Sequence, residues 1–329
     1  MPRQMARIAT VLTALFVALV AAPASAADRY RNPVPATIPA TGDRVETLAD
    51  PDVIHGRDGS YYAYRTTDPL IDRDRDAAGA LRAHHIPTLR STDLVHWSYV
   101  GDAFKDAPAW LEPGSPQWAP DVRYLSGRYV LFYTGTDTTD AVSGEPGCAG
   151  DSAIGAATSA SPTGPWKDVG HPVVAPRRHG PGCDFLWTFD PAVVTDAAGH
   201  AYLYYGSYFG GLWVTRVAED GLTATGQPTQ VAINDRYEGS YVVRHGSWFD
   251  HSIVDENHPS LPAPRGFRLT PHANEASEGR ACTPPLSVRQ LARRILAAPR
   301  LCRTIQAGQH ADQGVHRRGR HNPELGISR

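Results

Sequence analysis

"TFDPAVVTDAAGHAYLYYGS", residues 188–207, sets an acid before a proline, then a short apolar run, a glycine turn and a dense aromatic strand. The same phrase starts at three other places, as "LADPDVI", "QWAPDVR" and "RYEGSYV". Its key positions are Asp50, Ala119, Asp190 and Glu238, separated by 69, 71 and 48 residues. An apolar residue follows three places on in each copy: Val53, Val122, Val193 and Tyr241. A glycine then introduces "GSYYAYRT", "GRYVLFYTG", "GHAYLYYGS" and "GSWF"; the second and third have the alternation or dense β-branched and aromatic content of buried strands.

Two copies continue with matching outer strands. "LRSTDLVHWSYVGDAF" from Leu89 resembles "AATSASPTGPWKDVGHPV" from Ala156, each with a small polar strand end, a turn, a Trp and a last strand. Each unit is thus about four strands long, with Gly, Pro, Asp and Asn in the connections. Units of this kind predict an all-β chain folded as a β-propeller, with a β-sandwich as the alternative. In a propeller every innermost strand lines the central channel. Equivalent residues at one end of those strands project into one mouth, so Asp50, Asp190 and Glu238 are expected to converge. Ala119 leaves room in the fourth place, with Trp118 beside it.

Three carboxylates in one cleft suit glycoside hydrolysis. One acid protonates the leaving oxygen, and a second carboxylate activates water on the opposite face. A third negative charge raises the pKa of the acid and keeps it protonated. Aromatic rings near such a site cover the C–H faces of sugars, which makes Trp118 the first candidate platform and Trp187 and Tyr208 the next; a place in the core is the alternative for each, and weighs at least as much for the last two.

Composition narrows the class. The formal charge of −2 gives a nucleic-acid partner no electrostatic support. Residues 1–26 combine Arg3 and Arg7, the apolar run Ile8 to Ala22 and the small-residue site Ala24-Ser25-Ala26, the pattern of a secretory signal peptide. The run is shorter than the ~20 apolar residues a spanning helix needs. A secreted protein with no membrane segment after cleavage is expected. Export permits disulfides. Of Cys148, Cys183, Cys282 and Cys302, the first two lie in similar settings, "EPGCAGD" and "GPGCDF", and form the candidate pair. No cysteine or histidine spacing points to zinc. "DRDRD", Asp72 to Asp76, has Ala77 and Ala83 where a calcium-binding EF-hand loop needs Gly and Glu, so a solvated loop is expected.

The four phrases, in order, resemble the blade signatures of glycoside hydrolase family 43, five-bladed propellers that include endo-1,5-α-arabinanases, α-L-arabinofuranosidases and β-xylosidases. The resemblance runs from about Asn32 to Phe249. It implies that Asp50 is the general base, that Asp190 tunes and orients the acid, that Glu238 is the general acid, and that hydrolysis inverts the anomeric centre. "YGSYFGGLWV", Tyr205 to Val214, is similar to a strand of the arabinanase branch, which makes α-1,5-arabinan the preferred substrate over xylan. The chemistry needs no cofactor. The family's central calcium would draw on a fifth-blade histidine, and no such blade is legible here. A monomer acting on polysaccharide is expected.

The pattern stops at Phe249. Residues 251–329 hold no Tyr, no Trp, one Phe and no Lys, but 12 Arg. Such a composition cannot supply aromatic strands, and only Leu286 to Ala298 reads as a short basic helix. The expected organisation is therefore a signal peptide over 1–26, an incomplete catalytic propeller of about four blades or fewer over 27–250, and an irregular tail over 251–329. An abrupt change inside a strand is what a shifted reading frame near Phe249–Asp250 would produce; a genuine basic tail is the alternative. An inactive relic or a sugar-binding propeller fragment stands as the second functional reading.

Overall fold

The computed structural model describes residues 35–232, 237–245, 248–255 and 267–269. The signal peptide, Cys282, Cys302, the basic helix and most of the tail lie outside the described residues. Within them the chain forms four larger sheets, each running from an innermost strand outwards as propeller blades do, and one two-stranded sheet.

The first blade holds β1 (Ala36–Thr37), β2 (Asp52–His55), β3 (Tyr61–Tyr64), β4 (His85–Ser91) and β5 (Trp97–Phe104). Its antiparallel order is β2-β3-β4-β5, and β1 joins the outer edge parallel to β5. The second is a meander of β6 (Gln117–Leu125), β7 (Arg128–Gly135), β8 (Ala153–Ser159) and β9 (Lys167–Asp168), with α1 (Asp140–Ser143) in a connection. A hairpin of β10 (Arg177–Arg178) and β11 (Phe185–Leu186) precedes the third blade: β12 (Ala192–Thr195), β13 (Ala201–Tyr205), β14 (Leu212–Val217) and β15 (Thr229–Ala232). The fourth comprises β16 (Tyr237–His245), β17 (Trp248–Asp255) and β18 (Phe267–Leu269).

The fourth blade goes further than the aromatic pattern does. Pairing of β17 with β16 persists from His245↔Trp248 to Tyr237↔Asp255, and Phe267 to Leu269 adds a third strand. Backbone groups pair whatever side chains they carry, so "HSIV" after Phe249 extends a strand without aromatic residues.

The apolar runs are explained by where the cores lie. The second and third sheets are buried on both faces, and alternate residues of their strands serve two cores. Tyr129, Leu131 and Tyr133 of β7 pack towards the first blade with Tyr64, Ile86 and Phe104. Val130 and Phe132 of the same strand pack towards the third, with Val193, Leu203 and Tyr205. Tyr204, Val214, Val242 and Phe249 fill the space between the third and fourth blades. A fully buried Leu131 contributes about 1.5–3 kcal/mol through its apolar surface.

Polar bonds fix the spacing at the hub. The innermost strands touch in the order β2, β6, β12, β16. The Asp52 carboxylate of β2 accepts the Val122 N–H of β6 at 2.8 Å, and the Asp121 carboxylate of β6 accepts the Val193 N–H of β12 at 3.0 Å. Arg123 closes the cluster. Its guanidinium donates to the Val193 carbonyl at 2.7 Å and the Val122 carbonyl at 3.0 Å, and pairs with Asp52 at 3.4 Å and with Asp121. Burial works against the Arg123 charge, but Asp121 and Asp52 outweigh it and hold its pKa above the ordinary value.

Val122 and Val193 are enclosed, whereas Val53 and Tyr241, their counterparts in the first and fourth blades, are 47% and 56% exposed. The repeat position is thus buried in the two blades with a described blade on each side, and exposed in the two with a described blade on one side only. A channel cavity of about 380 Å³ runs among the later halves of β6, β12 and β16, lined in part by Arg123, Val194, Tyr241 and Arg244.

Replacing Arg123 with Met leaves two buried carboxylates without their counter-charge. The expected loss is about 3 kcal/mol, the low end for a broken buried pair because the guanidinium is 24% exposed. Urea unfolding of the two proteins measures it.

Candidate active site

The innermost strands begin at a common mouth, and each bends as it enters. Asp50, Ala119 and Asp190 hold φ values of 46°, 44° and 56°, a left-handed conformation that costs a non-glycine residue about 1–2 kcal/mol. In the fourth blade the left-handed residue is Gly239, at φ 62°, immediately after Glu238. Glycine takes this conformation without the Cβ penalty. The strand ladders shift register at the same place, between Trp118 and Asp121 and between Glu238 and Tyr241. Such bulges re-aim side chains out of the sheet.

The three predicted carboxylates meet at this mouth. The Asp190 carboxylate accepts the Gly239 N–H at 3.0 Å, which ties it to the residue following Glu238. Asp50 is near enough for its negative charge to act on Asp190. The Asp190 carboxyl is pushed up to about 6, first by burial and then by Asp50, against the opposing Gly239 N–H. Glu238 accepts a hydrogen bond from the Ser207 hydroxyl at 3.1 Å. The Thr66 hydroxyl donates to Asp50 at 2.7 Å.

Sequence reasoning did not single out the hydroxyls. Thr66, Thr134 and Ser207 follow or end the aromatic strands in "YAYRT", "LFYTG" and "LYYGS", and each bonds the key position of its own or the next blade. Thr134 accepts the Asp190 N–H at 3.0 Å. The recurrence of a hydroxyl residue at the end of the first three aromatic strands was the available signal.

The predicted aromatic platforms form one connected strip. Trp118 meets Phe189 edge-on at 5.9 Å between centroids, and Phe189 meets Trp187 at 5.1 Å. Trp187 contacts Tyr208 at 6.2 Å and Phe209 at 5.0 Å. Phe189 and Phe209 were not predicted, although Phe189 directly precedes Asp190. Arg177 supports the strip from behind: it donates to the Trp187 carbonyl and to the Thr188 hydroxyl, and lies over the Trp213 ring.

Loops beside the strip are fastened together. Cys148 and Cys183 form a disulfide, with Cα atoms 5.3 Å apart. Arg178 adds an ion pair to Glu145 at 2.9 Å and a bond to the Ser143 carbonyl at 2.9 Å. In the "DRDRD" loop Asp74 pairs with His84 at 2.8 Å, and Asp76 accepts the N–H groups of Ala78 and Ala80. Among the described residues no three His, Cys, Asp or Glu side chains are grouped to hold a metal. The hub carboxylates Asp52 and Asp121 are engaged by Arg123 and backbone N–H groups, so the described residues do not fit the calcium that the resemblance implies.

The raised Asp190 pKa has a consequence for stability. Below an ordinary carboxylate value of about 3.9 both folded and unfolded chains carry the proton. Between there and about 6 the folded chain still holds a proton that the unfolded chain has released. Stability therefore falls as pH rises through that window, and the loss is complete above it. Asp190→Asn removes this contribution. Melting temperatures measured from pH 3.5 to 7 should show the wild type losing ground to the variant through the window; a constant difference would overturn the assignment.

The sequence profile of glycosyl hydrolases family 43 matches residues 45–249. The probable arabinan endo-1,5-α-L-arabinosidase B of Aspergillus fumigatus is 32% identical over 193 residues, 56% of this chain and 44% of that one. The extracellular endo-α-(1→5)-L-arabinanase 1 of Bacillus subtilis is 26% identical over 221 residues, 64% of this chain and 59% of that one. The chain thus spans about half the length of the curated relatives it matches. The solved family 43 endo-arabinanase from Bacillus licheniformis superposes with a TM-score of 0.51 at 22% identity, covering 67% of this chain and 71% of that one, and shares its fold. With a matched profile spanning all four blade phrases, the chain belongs to glycosyl hydrolases family 43.

Proposed function

We propose that this protein is a secreted glycoside hydrolase that cleaves α-1,5-linked arabinan with inversion. The observation that carries the reading is the placement of Asp50, Asp190 and Glu238 at equivalent thresholds of three blades, joined by the Asp190–Gly239 hydrogen bond and the influence of Asp50 on Asp190. Asp50 is the general base: its carboxylate, oriented by Thr66, takes a proton from water as the water attacks the anomeric carbon. Glu238 is the general acid and gives its proton to the leaving sugar oxygen. Asp190 holds the backbone beside Glu238 and adds a negative charge that favours the protonated acid.

The aromatic strip from Trp118 to Tyr208 offers flat apolar faces to successive sugar rings. Arabinan is preferred over xylan because the relatives described above are named for arabinan and because of the "YGSYFGGLWV" strand. Export is supported by the pattern of residues 1–26, and the Bacillus subtilis relative is itself named as extracellular.

Asp50→Asn and Glu238→Gln should each lower kcat on linear 1,5-α-L-arabinan by roughly 10²–10⁴-fold, the usual contribution of a positioned acid or base. Proton NMR of the first product should show the β anomer of arabinose. Retention of the α configuration would remove the inverting mechanism. Full activity in Glu238→Gln would remove the general acid. Sugar binding without hydrolysis by the folded wild type would select the non-catalytic alternative.

A further inference from the structure

We infer that Thr66 is the positioning residue of the general base, a one-proton hydroxyl whose direction is dictated by the neighbouring blade. The inference rests on the role proposed above for Asp50. Thr66 Oγ1 makes two bonds: 2.9 Å to the backbone nitrogen of Ala119 and 2.7 Å to Asp50 Oδ2. The Ala119 nitrogen carries a hydrogen and can only donate, so Thr66 Oγ1 accepts there. The single hydroxyl proton is then committed to Asp50. The Thr66 N–H donates to the Ala49 carbonyl at 3.2 Å, which holds both ends of the residue beside the base. Thr66 is 8% exposed, so water has little access to replace either bond.

The arrangement distinguishes Asp50 from Asp190. Thr134, the corresponding hydroxyl of the second blade, accepts the backbone N–H of Asp190, whose carboxylate instead takes the Gly239 N–H. Two acids at the same repeat position are thereby given different donors. In the first blade the donor is a hydroxyl whose other bond reaches the second blade, so the geometry of the base depends on blade-to-blade registration. Ala119, the one key position without a carboxylate, contributes through its backbone: its N–H aims the hydroxyl that orients Asp50.

Thr66→Val removes both bonds at nearly constant volume, Thr66→Ala removes them with less crowding, and Thr66→Ser keeps them. Assayed as the full chain on linear arabinan, Thr66→Val is expected to lose roughly 10- to 100-fold in kcat through misplacement of the base, with KM changed less than about threefold. Thr66→Ser should recover most of the rate. If Thr66→Val does not fold, Thr66→Ala is read in the same way. A folded Thr66→Val or Thr66→Ala protein with wild-type kcat, or with a loss that falls on KM and not on kcat, overturns the inference, as does an equal loss in Thr66→Ser. Asp50→Asn separates the two roles. An active Asp50→Asn protein sinks the base assignment itself, whereas an inactive one beside a fully active Thr66→Val sinks only the role of Thr66.

Discussion

A carboxylate near the start of one innermost strand, accepting an N–H from the next blade, is the bond on which the hub depends. Asp52 bonds the second blade, Asp121 bonds the third, and Arg123 neutralises both. Apolar packing between sheets is strong but has no direction, and on its own it would let the blades slide. A hydrogen bond at 2.8–3.0 Å from a fixed strand position sets their relative height. Once that height is set, the thresholds of all four strands lie at one level. Residues separated by 69 or 71 positions in the chain then share one mouth.

The third interface shows how this device passes into chemistry. The position held by Asp52 and Asp121 is Ala192 in the third blade, and no carboxylate is available there. Two residues earlier, Asp190 takes over and accepts the Gly239 N–H. The same side chain holds the fourth blade and lies beside Asp50 and Glu238. Its raised pKa follows from that double placement, since burial in the interface disfavours its charge and Asp50 adds to the effect. The fold and the site are therefore coupled through one residue.

Much of this was legible because a propeller repeats. A repeat turns sequence position into spatial position, so Asp50, Asp190 and Glu238 could be brought together on paper. The strand composition of β7 and β13 likewise announced sheets buried on both faces. Thr66 and Ser207 were not legible, since a hydroxyl at a strand end has many uses and its partner lies on another segment. Arg123 was missed for the same reason. Its position one residue past "APDV" gives no hint that it faces two carboxylates. The extension of β17 to Asp255 was not legible because aromatic content marks only some strands, whereas backbone pairing needs none.

The sequence by itself determined the unit, its recurrence and the residues at each threshold, because alternation and turn chemistry are local properties of the chain. It also determined that one threshold carries Ala119 and no acid. Only the tertiary structure decided how alike residues come to differ. Asp50 receives a hydroxyl proton and Asp190 a backbone N–H, although both occupy the same place in the repeat. The physical reason is that each donor is positioned by packing and hydrogen bonding between separate segments, and a hydrogen bond depends on distances of a few tenths of an ångström that no local pattern encodes.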